Sequence, residues 1–255
     1  MRNVSIDRLD HLPQAVVPIG NDYPYGRLLD WHSHRRAQLL FGATGTMQVT
    51  TADGDWMVPP QRAVWIPPDM PHRVRMLGVT TCSLYIEPAV RGRAATRCEV
   101  IAISPLLRQL LMAAVDIEAG YDPQGRDGAL MALTLHEIRR AAVLPLYLPL
   151  PSTPALRARC QDFLRQPDIH QSAATWAQSL RWSTRTFRRR FHAQTGLGFI
   201  AWRQKACVLL SLPRLAAGDS VTRIALDLGY DSAGAFSTMF RRQLGVAPTA
   251  YRAVG

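Results

Sequence analysis

The feature that most constrains this chain is a pair of short amphipathic segments joined by a glycine turn near the end of the sequence. Residues 221–228 carry apolar side chains at the i, i+3, i+4 and i+7 spacing of a helix, and Ser220 is placed to cap its start. Gly229 predicts the end of this helix, because the residue after a helix usually has a positive φ. Ser232 is placed to cap a second helix. The pattern predicts a helix-turn-helix unit of the kind that binds DNA.

A second copy of this pattern lies upstream, at residues 173–196. Aligning the caps Ser183 and Ser232 places Phe187 over Phe236, and the next phenylalanine and the terminal glycine also match, all at an offset of 49 residues. An internal repeat of one supersecondary unit arises by chance less readily than either copy alone. We therefore expect two helix-turn-helix units.

The segment between the copies, residues 198–217, predicts one long apolar helix of about 30 Å. That length is close to the roughly 34 Å between successive major-groove turns on one face of B-DNA, so both units can reach adjacent grooves. Pro213 lies inside this segment and cannot donate a backbone hydrogen bond, so we expect a kink there.

The net charge of +11 is unevenly distributed. From Pro154 onward there are 15 basic and 5 acidic residues, whereas the preceding residues contain 15 and 14. A positive balance confined to the helix-turn-helix half is typical of phosphate binding.

Residues 154–252 resemble the C-terminal domain of the AraC/XylS family of bacterial transcription regulators. The resemblance rests on WAQSLRWSTRTFRRRF in the first unit and on the pattern GY.S..AFS..FRR..G..P..Y in the second. It implies base contacts from the positions of Arg185, Arg188 and Arg189.

The exposed positions of the two second helices give the candidate DNA-binding residues. The first of these helices is rich in arginine, which pairs bidentately with guanine, whereas the second offers mostly small side chains, so the first unit is expected to dominate sequence reading. The candidates are Thr184, Arg185, Arg188, Arg189, Ser232, Ala233, Gly234, Ser237, Thr238 and Arg241.

The N-terminal part of the chain predicts β structure. Its short runs are rich in Val, Ile, Thr and aromatic residues and are separated by Gly, Pro and Asp, which favours a sandwich or barrel. The runs are 39–41, 46–51, 56–58, 63–66, 72–76 and 81–87.

Three histidines and a glutamine in this part resemble the two cupin motifs, whose equivalent positions hold two His, a Glu and a third His. The candidate metal ligands are His32, His34, Gln38 and His72, with Gln38 in place of the acidic ligand. The alternative is that the histidines only form hydrogen bonds across the barrel mouth. The candidate effector pocket combines these four residues with Trp31 and Trp65.

Helical periodicity returns at residues 105–119 and 128–143, which predict helices that pack on the barrel or pair with a second subunit. Four prolines within residues 144–154 predict a linker. The fold class is multi-domain α+β: a cupin-like jelly-roll barrel (1–97), a helical hairpin (98–143), a Pro-rich linker (144–153) and an all-α double helix-turn-helix domain (154–255).

These features predict a sequence-specific DNA-binding transcription regulator that responds to a small-molecule effector in its N-terminal domain, and not an enzyme. Its expected partners are duplex DNA, the effector and a second copy of itself, and a divalent metal is the candidate cofactor. Two alternatives stay open: a metal-dependent, dioxygenase-like cupin enzyme with an accessory helical domain, and a DNA-binding protein whose barrel binds nothing. The sequence has no run of 18 apolar residues and no signal-peptide pattern, so we expect a cytoplasmic protein that is not inserted in a membrane.

Overall fold

The computed structural model describes residues 5–90, 93–118 and 120–251, and the chain divides into two compact units. The first unit comprises residues 1–51 and 56–146, and the second comprises residues 52–55 and 147–255. The chain therefore passes from one unit to the other three times. Two predicted positions, residue 119 at the end of a helix and Arg252 at the end of the second helix-turn-helix pattern, lie outside the described residues.

The first unit is built on antiparallel strands. They are β1 (Val16–Tyr23), β2 (Leu28–His32), β3 (Ala37–Gly42), β4 (Thr46–Thr50), β5 (Gly54–Val58), β6 (Arg62–Ile66), β7 (His72–Leu77), β8 (Val79–Ile86), β9 (Glu99–Ala102) and β10 (Val143–Leu144). One sheet has the order β1-β8-β3-β6-β9-β10, and the other runs β5-β4-β7-β2 within this unit. All six predicted strand runs are confirmed.

Two strands at sheet edges were not predicted. β1 contains Pro18 and Gly20, which weaken a strand pattern in a sequence, but Pro is tolerated at an edge where no ladder hydrogen bond is required of it. β2 lies at an edge of the other sheet, and four of its five residues are exposed, so it lacks the apolar alternation of a half-buried strand.

Two helices cover one face of the first sheet: α1 (Pro105–Ala114) and α2 (Arg126–Arg140). Leu39 and Trp65 from the sheet pack with Leu111 and Ile138 from the helices in one buried cluster. The hairpin was predicted over 98–143, but β9 occupies its start and β10 its end. These strands pair with each other, Val143 opposite Ile101, and this pairing ends α2 at Arg140.

The second unit is mainly helical. Its elements are β11 (Tyr147–Pro149), α3 (Pro154–Arg165), α4 (Ala173–Ser179), α5 (Thr184–Thr195), α6 (Phe199–Ala216), α7 (Val221–Asp227), α8 (Ala233–Leu244) and a 3₁₀ turn (Pro248–Tyr251). The predicted long helix is α6, which continues through Pro213.

The segment predicted as a linker is not wholly irregular. It contains the end of β10 and all of β11, because a strand at a sheet edge tolerates proline. Leu148 and Leu150 are buried, and the indole Nε1 of Trp202 donates a buried hydrogen bond of 2.7 Å to the carbonyl oxygen of Pro149. Residues 147–150 therefore belong to the packed part of the second unit.

Candidate functional site

The first helix-turn-helix unit consists of α4 and α5. The Ser183 hydroxyl caps α5 by accepting a hydrogen bond of 3.2 Å from the Thr186 N–H, as predicted. Trp176 of α4 makes edge-on ring contacts with Phe187 and Phe191 of α5, at centroid distances of 6.2 and 6.4 Å. These buried rings fix which face of α5 turns outward.

The outward face of α5 is strongly basic. The helix carries four arginines and no acidic residue. The Arg190 guanidinium lies 4.7 Å from the centre of the Trp182 ring. Arg185, Arg188 and Arg189 are exposed and make no ion pair or hydrogen bond with any residue that the structure describes. Three guanidinium groups on one helix face are thus free to bind a nucleic acid.

Acidic side chains of the second unit are paired elsewhere. Arg214 bonds to Asp219 at 2.8 Å and to Asp227 at 2.6 Å. Asp162 pairs with Arg165 one turn away on α3. These three carboxylates are thus paired with arginines outside α5.

The second helix-turn-helix unit consists of α7 and α8 and presents a different surface. The Ser232 hydroxyl caps α8 by accepting from the Ala235 N–H at 3.1 Å, and Phe236 and Phe240 are fully buried. Small side chains face outward in the first two turns, and Arg241 follows a turn later. The outward residues are Ala233, Gly234, Ser237, Thr238 and Arg241, the first and third of them partly buried.

The two units are not related by one constant offset, which corrects the sequence-based alignment. The second helices align at 49 residues, but the first helices, capped by Ser172 and Ser220, align at 48. The turn between α7 and α8 therefore contains one more residue than the turn between α4 and α5. Gly229 has φ +84°, and its equivalent at the smaller offset is Arg181, with φ +56°.

In the N-terminal compact unit, which contains the β-sheets, three histidines meet at the end of β2 and the start of β7. His32 lies directly opposite His72 in the paired strands, and His34 follows two residues later. The ring centroids are 4.2 Å apart for His32 and His72, and 5.2 Å for His34 and His72. One ring nitrogen of each lies within 4.8 Å of the other two. The three rings therefore lie together, while metal binding stays a prediction.

Each of these imidazoles is held by its Nδ1 atom. A backbone carbonyl oxygen can only accept, so a neutral ring facing one carries its hydrogen on Nδ1 and keeps a lone pair on Nε2. The Nδ1 distances to carbonyl oxygens are 2.6 Å for His32 with Asp30, 2.7 Å for His34 with Arg36 and 2.8 Å for His72 with Met70.

The Nε2 atom of His72 is buried and has no hydrogen-bond partner in the described part of the chain. Burial, together with the neighbouring His32 and His34, lowers the pKa of His72 to about 4. Burial also lowers the pKa of His34. Burial thus favours the neutral forms of His34 and His72, in which each ring keeps a nitrogen lone pair.

Gln38 reaches this cluster from β3. Its amide oxygen position lies 3.1 Å from His34 Nε2, and its amide nitrogen position lies 3.1 Å from the Ser83 hydroxyl and 3.0 Å from the Tyr85 hydroxyl. The structure thus brings together the four predicted metal-site residues.

The two predicted tryptophans lie apart from this cluster. Trp65 is opposite Leu39 and packs against the helices, whereas Gln38 lies on the other face of the same sheet, because neighbouring residues of a strand alternate. Trp31 is 51% exposed, and the Arg73 guanidinium lies 5.4 Å from its ring centre. Neither residue lines the cavity beside the histidines.

That cavity has a volume of about 750 Å³ and includes residues that the sequence did not indicate. His32, His34 and Tyr85 line it together with polar side chains from β1 and from the N-terminal segment. The unpredicted polar contributors are Ser5, Asp7, Asn21, Tyr23, Arg27, Asp30 and Ser33. No local sequence signal marks them, because their proximity comes from the tertiary fold.

A ligand-sized cavity in a β domain, together with two helix-turn-helix units in one chain, defines a ligand-responsive DNA-binding regulator. Residues 13–137 match the AraC-like ligand binding domain, and residues 176–253 match a helix-turn-helix domain. The HTH-type transcriptional regulator NimR of Escherichia coli K12 is 33% identical over 221 residues, which cover 86% of this chain and 81% of NimR. The chain belongs to the AraC family of transcription regulators.

Two further similarities are more distant. The arabinose operon regulatory protein of Salmonella typhimurium is 30% identical over 148 residues, covering 54% of this chain and 50% of that protein. The crystal structure of ToxT from Vibrio cholerae O395 is 11% identical, covers 93% of this chain and 96% of its own, and superimposes with a TM-score of 0.39. Within the described residues, no helix has the length and apolar character needed to cross a membrane.

Proposed function

We propose that this regulator reads its operator chiefly through α5 and that a ligand in the cavity beside the histidines controls DNA binding. The proposal that α5 dominates operator recognition rests on the contrast between α5 and α8, the second helices of the two helix-turn-helix units. α5 presents three exposed arginines without partners among the described residues, whereas α8 presents small side chains in its first two turns. A bidentate arginine–guanine contact discriminates by about 1–3 kcal/mol per base pair, which small side chains cannot match.

The test is a binding-site selection from random DNA with single-residue variants. Arg185→Ala, Arg188→Ala and Arg189→Ala are expected to relax preference at particular base pairs by about 1–3 kcal/mol each. Arg241→Ala is the matched control, because a phosphate contact carries no sequence information and its loss weakens all sites alike. Uniform weakening by all four variants would contradict the assignment.

The histidine cluster is suited to a divalent cation in that cavity. The buried Nε2 of His72, which has no hydrogen-bond partner among the described residues, is an acceptor that a cation would satisfy, and three imidazoles form a ligand set typical of zinc and cobalt. His32, His34 and His72 would hold the cation through Nε2. Bound there, the cation would supply a Lewis acid that anchors an anionic group of the effector. Cobalt binding that survives in His32→Ala and His72→Ala would rule out this site.

The ligand set also favours regulation over catalysis. Non-haem iron oxygenases hold iron with two histidines and a carboxylate, and no Asp or Glu joins the three histidines among the described residues. Gln38 supplies a neutral amide where that carboxylate is required. Oxygen consumption by the iron-loaded protein, measured with and without candidate effectors, tests the enzymatic alternative. The regulator is expected to consume none above background.

We further propose that the protein acts in the cytoplasm as a homodimer formed through α1 and α2. Leu106 is 48% exposed, Met112 39% and Leu133 43%, which leaves apolar side chains of both helices uncovered. Sedimentation of Leu133→Glu is expected to show monomer where the parent protein shows dimer. Leu226→Glu, at an apolar position on α7 that is 57% exposed, is the control and is expected to leave the mass unchanged.

A further inference from the structure

The His34 ring makes a hydrogen bond at each nitrogen, which restricts where its hydrogen lies. Nδ1 is 2.7 Å from the Arg36 carbonyl oxygen, so Nδ1 must donate. A neutral imidazole has one N–H, so Nε2 carries a lone pair and must accept. Its partner at 3.1 Å is the end of the Gln38 amide.

Gln38 therefore presents its NH₂ group to His34. The oxygen and nitrogen of an amide have nearly the same shape, and their positions are assigned from the hydrogen bonds that each makes. With the NH₂ group toward His34, the amide oxygen faces the Ser83 and Tyr85 hydroxyls at 3.1 and 3.0 Å, and both hydroxyls can donate to it. This orientation satisfies every partner in the network.

The opposite orientation would require a doubly protonated His34. That charge would lie in a partly buried site beside two other imidazoles, with no carboxylate in the cluster among the described residues. Burial of a cation without a counter-ion is unfavourable. The neutral ring, with Gln38 as donor, is the state that these surroundings stabilise.

The three imidazoles therefore differ in their availability to a ligand. The Nε2 atom of His72 has no partner among the residues that the structure describes, whereas that of His34 accepts a hydrogen bond from Gln38. We infer that Gln38 competes with a bound cation for the Nε2 lone pair of His34. Gln38 is then a residue that sets cation affinity and not a fourth ligand, which revises the role predicted from its position in the motif.

This competition also couples cation binding to a structural change in the sheet. A cation on His34 displaces the Gln38 amide, and the hydroxyls of Ser83 and Tyr85 on β8 must then find other partners. Occupancy of the histidine cluster is thereby converted into a change in the hydrogen bonds between β3 and β8. The inference rests on the cation site proposed above.

The test compares cobalt affinities of the full-length protein by competition with a chromophoric chelator. Gln38→Leu removes the competing donor, so it is expected to bind Co²⁺ roughly two- to tenfold more tightly, the range of one net hydrogen bond. Tyr85→Phe removes one of the hydroxyls that hold the amide, so a smaller gain in the same direction is expected. Gln48→Leu, on β4 of the other sheet and opposite Arg75, is the matched control and is expected to leave affinity unchanged.

Weaker binding in Gln38→Leu would show that Gln38 is a ligand, and unchanged binding would show that it does not compete; either result overturns the inference. Histidine ¹⁵N NMR of the metal-free parent protein tests the same point without a cation or a variant. A neutral His34 with its hydrogen on Nδ1 supports the inference, and a hydrogen on Nε2 overturns it. If the parent protein binds no Co²⁺, the proposed cation site fails, while this NMR result still decides the direction of the hydrogen bond.

Discussion

At the scale of single residues, the two helix-turn-helix units differ in the residue that occupies the left-handed position of the turn. Gly229 reaches φ +84° without steric cost because it has no Cβ, whereas Arg181 holds φ +56° with a full side chain. A non-glycine residue in this region costs on the order of 1–3 kcal/mol. The turn of the first helix-turn-helix unit therefore tolerates backbone strain at Arg181 that glycine avoids in the second.

Arg181→Gly is accordingly expected to stabilise the protein by about 0.5–1 kcal/mol, because relief of the strain exceeds the added entropy of glycine in the unfolded chain. Urea unfolding followed by helical circular dichroism measures the change. Gly229→Ala is the control of opposite sign. Its new Cβ would need the left-handed backbone and would lie 3.2 Å from the Asp168 carboxylate oxygen. A loss of stability in Arg181→Gly would mean that the arginine side chain contributes more than the strain costs.

At the scale of elements, α6 contains the one residue that opposes its continuity. Pro213 has no N–H to donate to the Leu209 carbonyl, yet the helix extends from Phe199 to Ala216, and Leu209, Leu212 and Leu215 are buried around it. Burial of these side chains keeps the last turn helical against the local preference. The predicted kink stays a prediction.

Pro213→Ala is expected to raise the free energy of unfolding by up to about 3 kcal/mol, because alanine restores the hydrogen bond and removes the clash. Ala216→Gly, in the same turn of α6, is the control and is expected to lower it by about 1 kcal/mol. An unchanged stability in Pro213→Ala would mean that contacts of the proline ring offset its cost. The same variant, if it straightens α6, is expected to alter the preferred spacing between the base pairs read by the two units.

The helices were predictable from sequence because Ser caps, glycine stops and apolar stripes are local signals. The strands were predictable where short apolar or alternating runs lie between Gly, Pro and Asp, as in β3, β6 and β7. Edge strands β1 and β2 lack that pattern, and β9 to β11 acquire their structure from pairing that no short segment encodes. The residues of the histidine cluster were predicted from their resemblance to the cupin motifs. The face on which Trp65 lies depends on strand register, which the sequence alone did not define.

At the scale of the whole molecule, the second unit extends further toward the N-terminus than the helical pattern suggests. Leu148 is 2% exposed and Leu150 5%, and Pro149 accepts the buried hydrogen bond of Trp202. Residues 147–150 thus complete the core of a domain predicted to start at Pro154.

A fragment of residues 147–255 is therefore expected to be more stable than one of residues 154–255 by about 3–6 kcal/mol. Two leucines lose burial in the shorter fragment, at about 1.5–3 kcal/mol each, and a buried indole N–H loses its partner. Thermal and urea unfolding of the two fragments gives the difference. Leu148→Ala in the longer fragment is expected to reproduce part of this loss of stability, and equal stability of the two fragments would show that β11 contributes nothing.

The triple passage of the chain between units also bears on how such a protein exchanges parts in evolution. Regulators are often pictured as modules that recombine by a single genetic join between sensor and reader. Here the turn at residues 52–55 groups with the second unit: the Leu150 N–H donates to the Asp53 carbonyl at 3.2 Å, and the Arg157 guanidinium donates to the Ala52 carbonyl. A single crossover near residue 147 would leave that turn behind in the donor gene. A chimera that inherits a new sensor must therefore also inherit, or recreate, a compatible turn of four residues in the middle of that sensor.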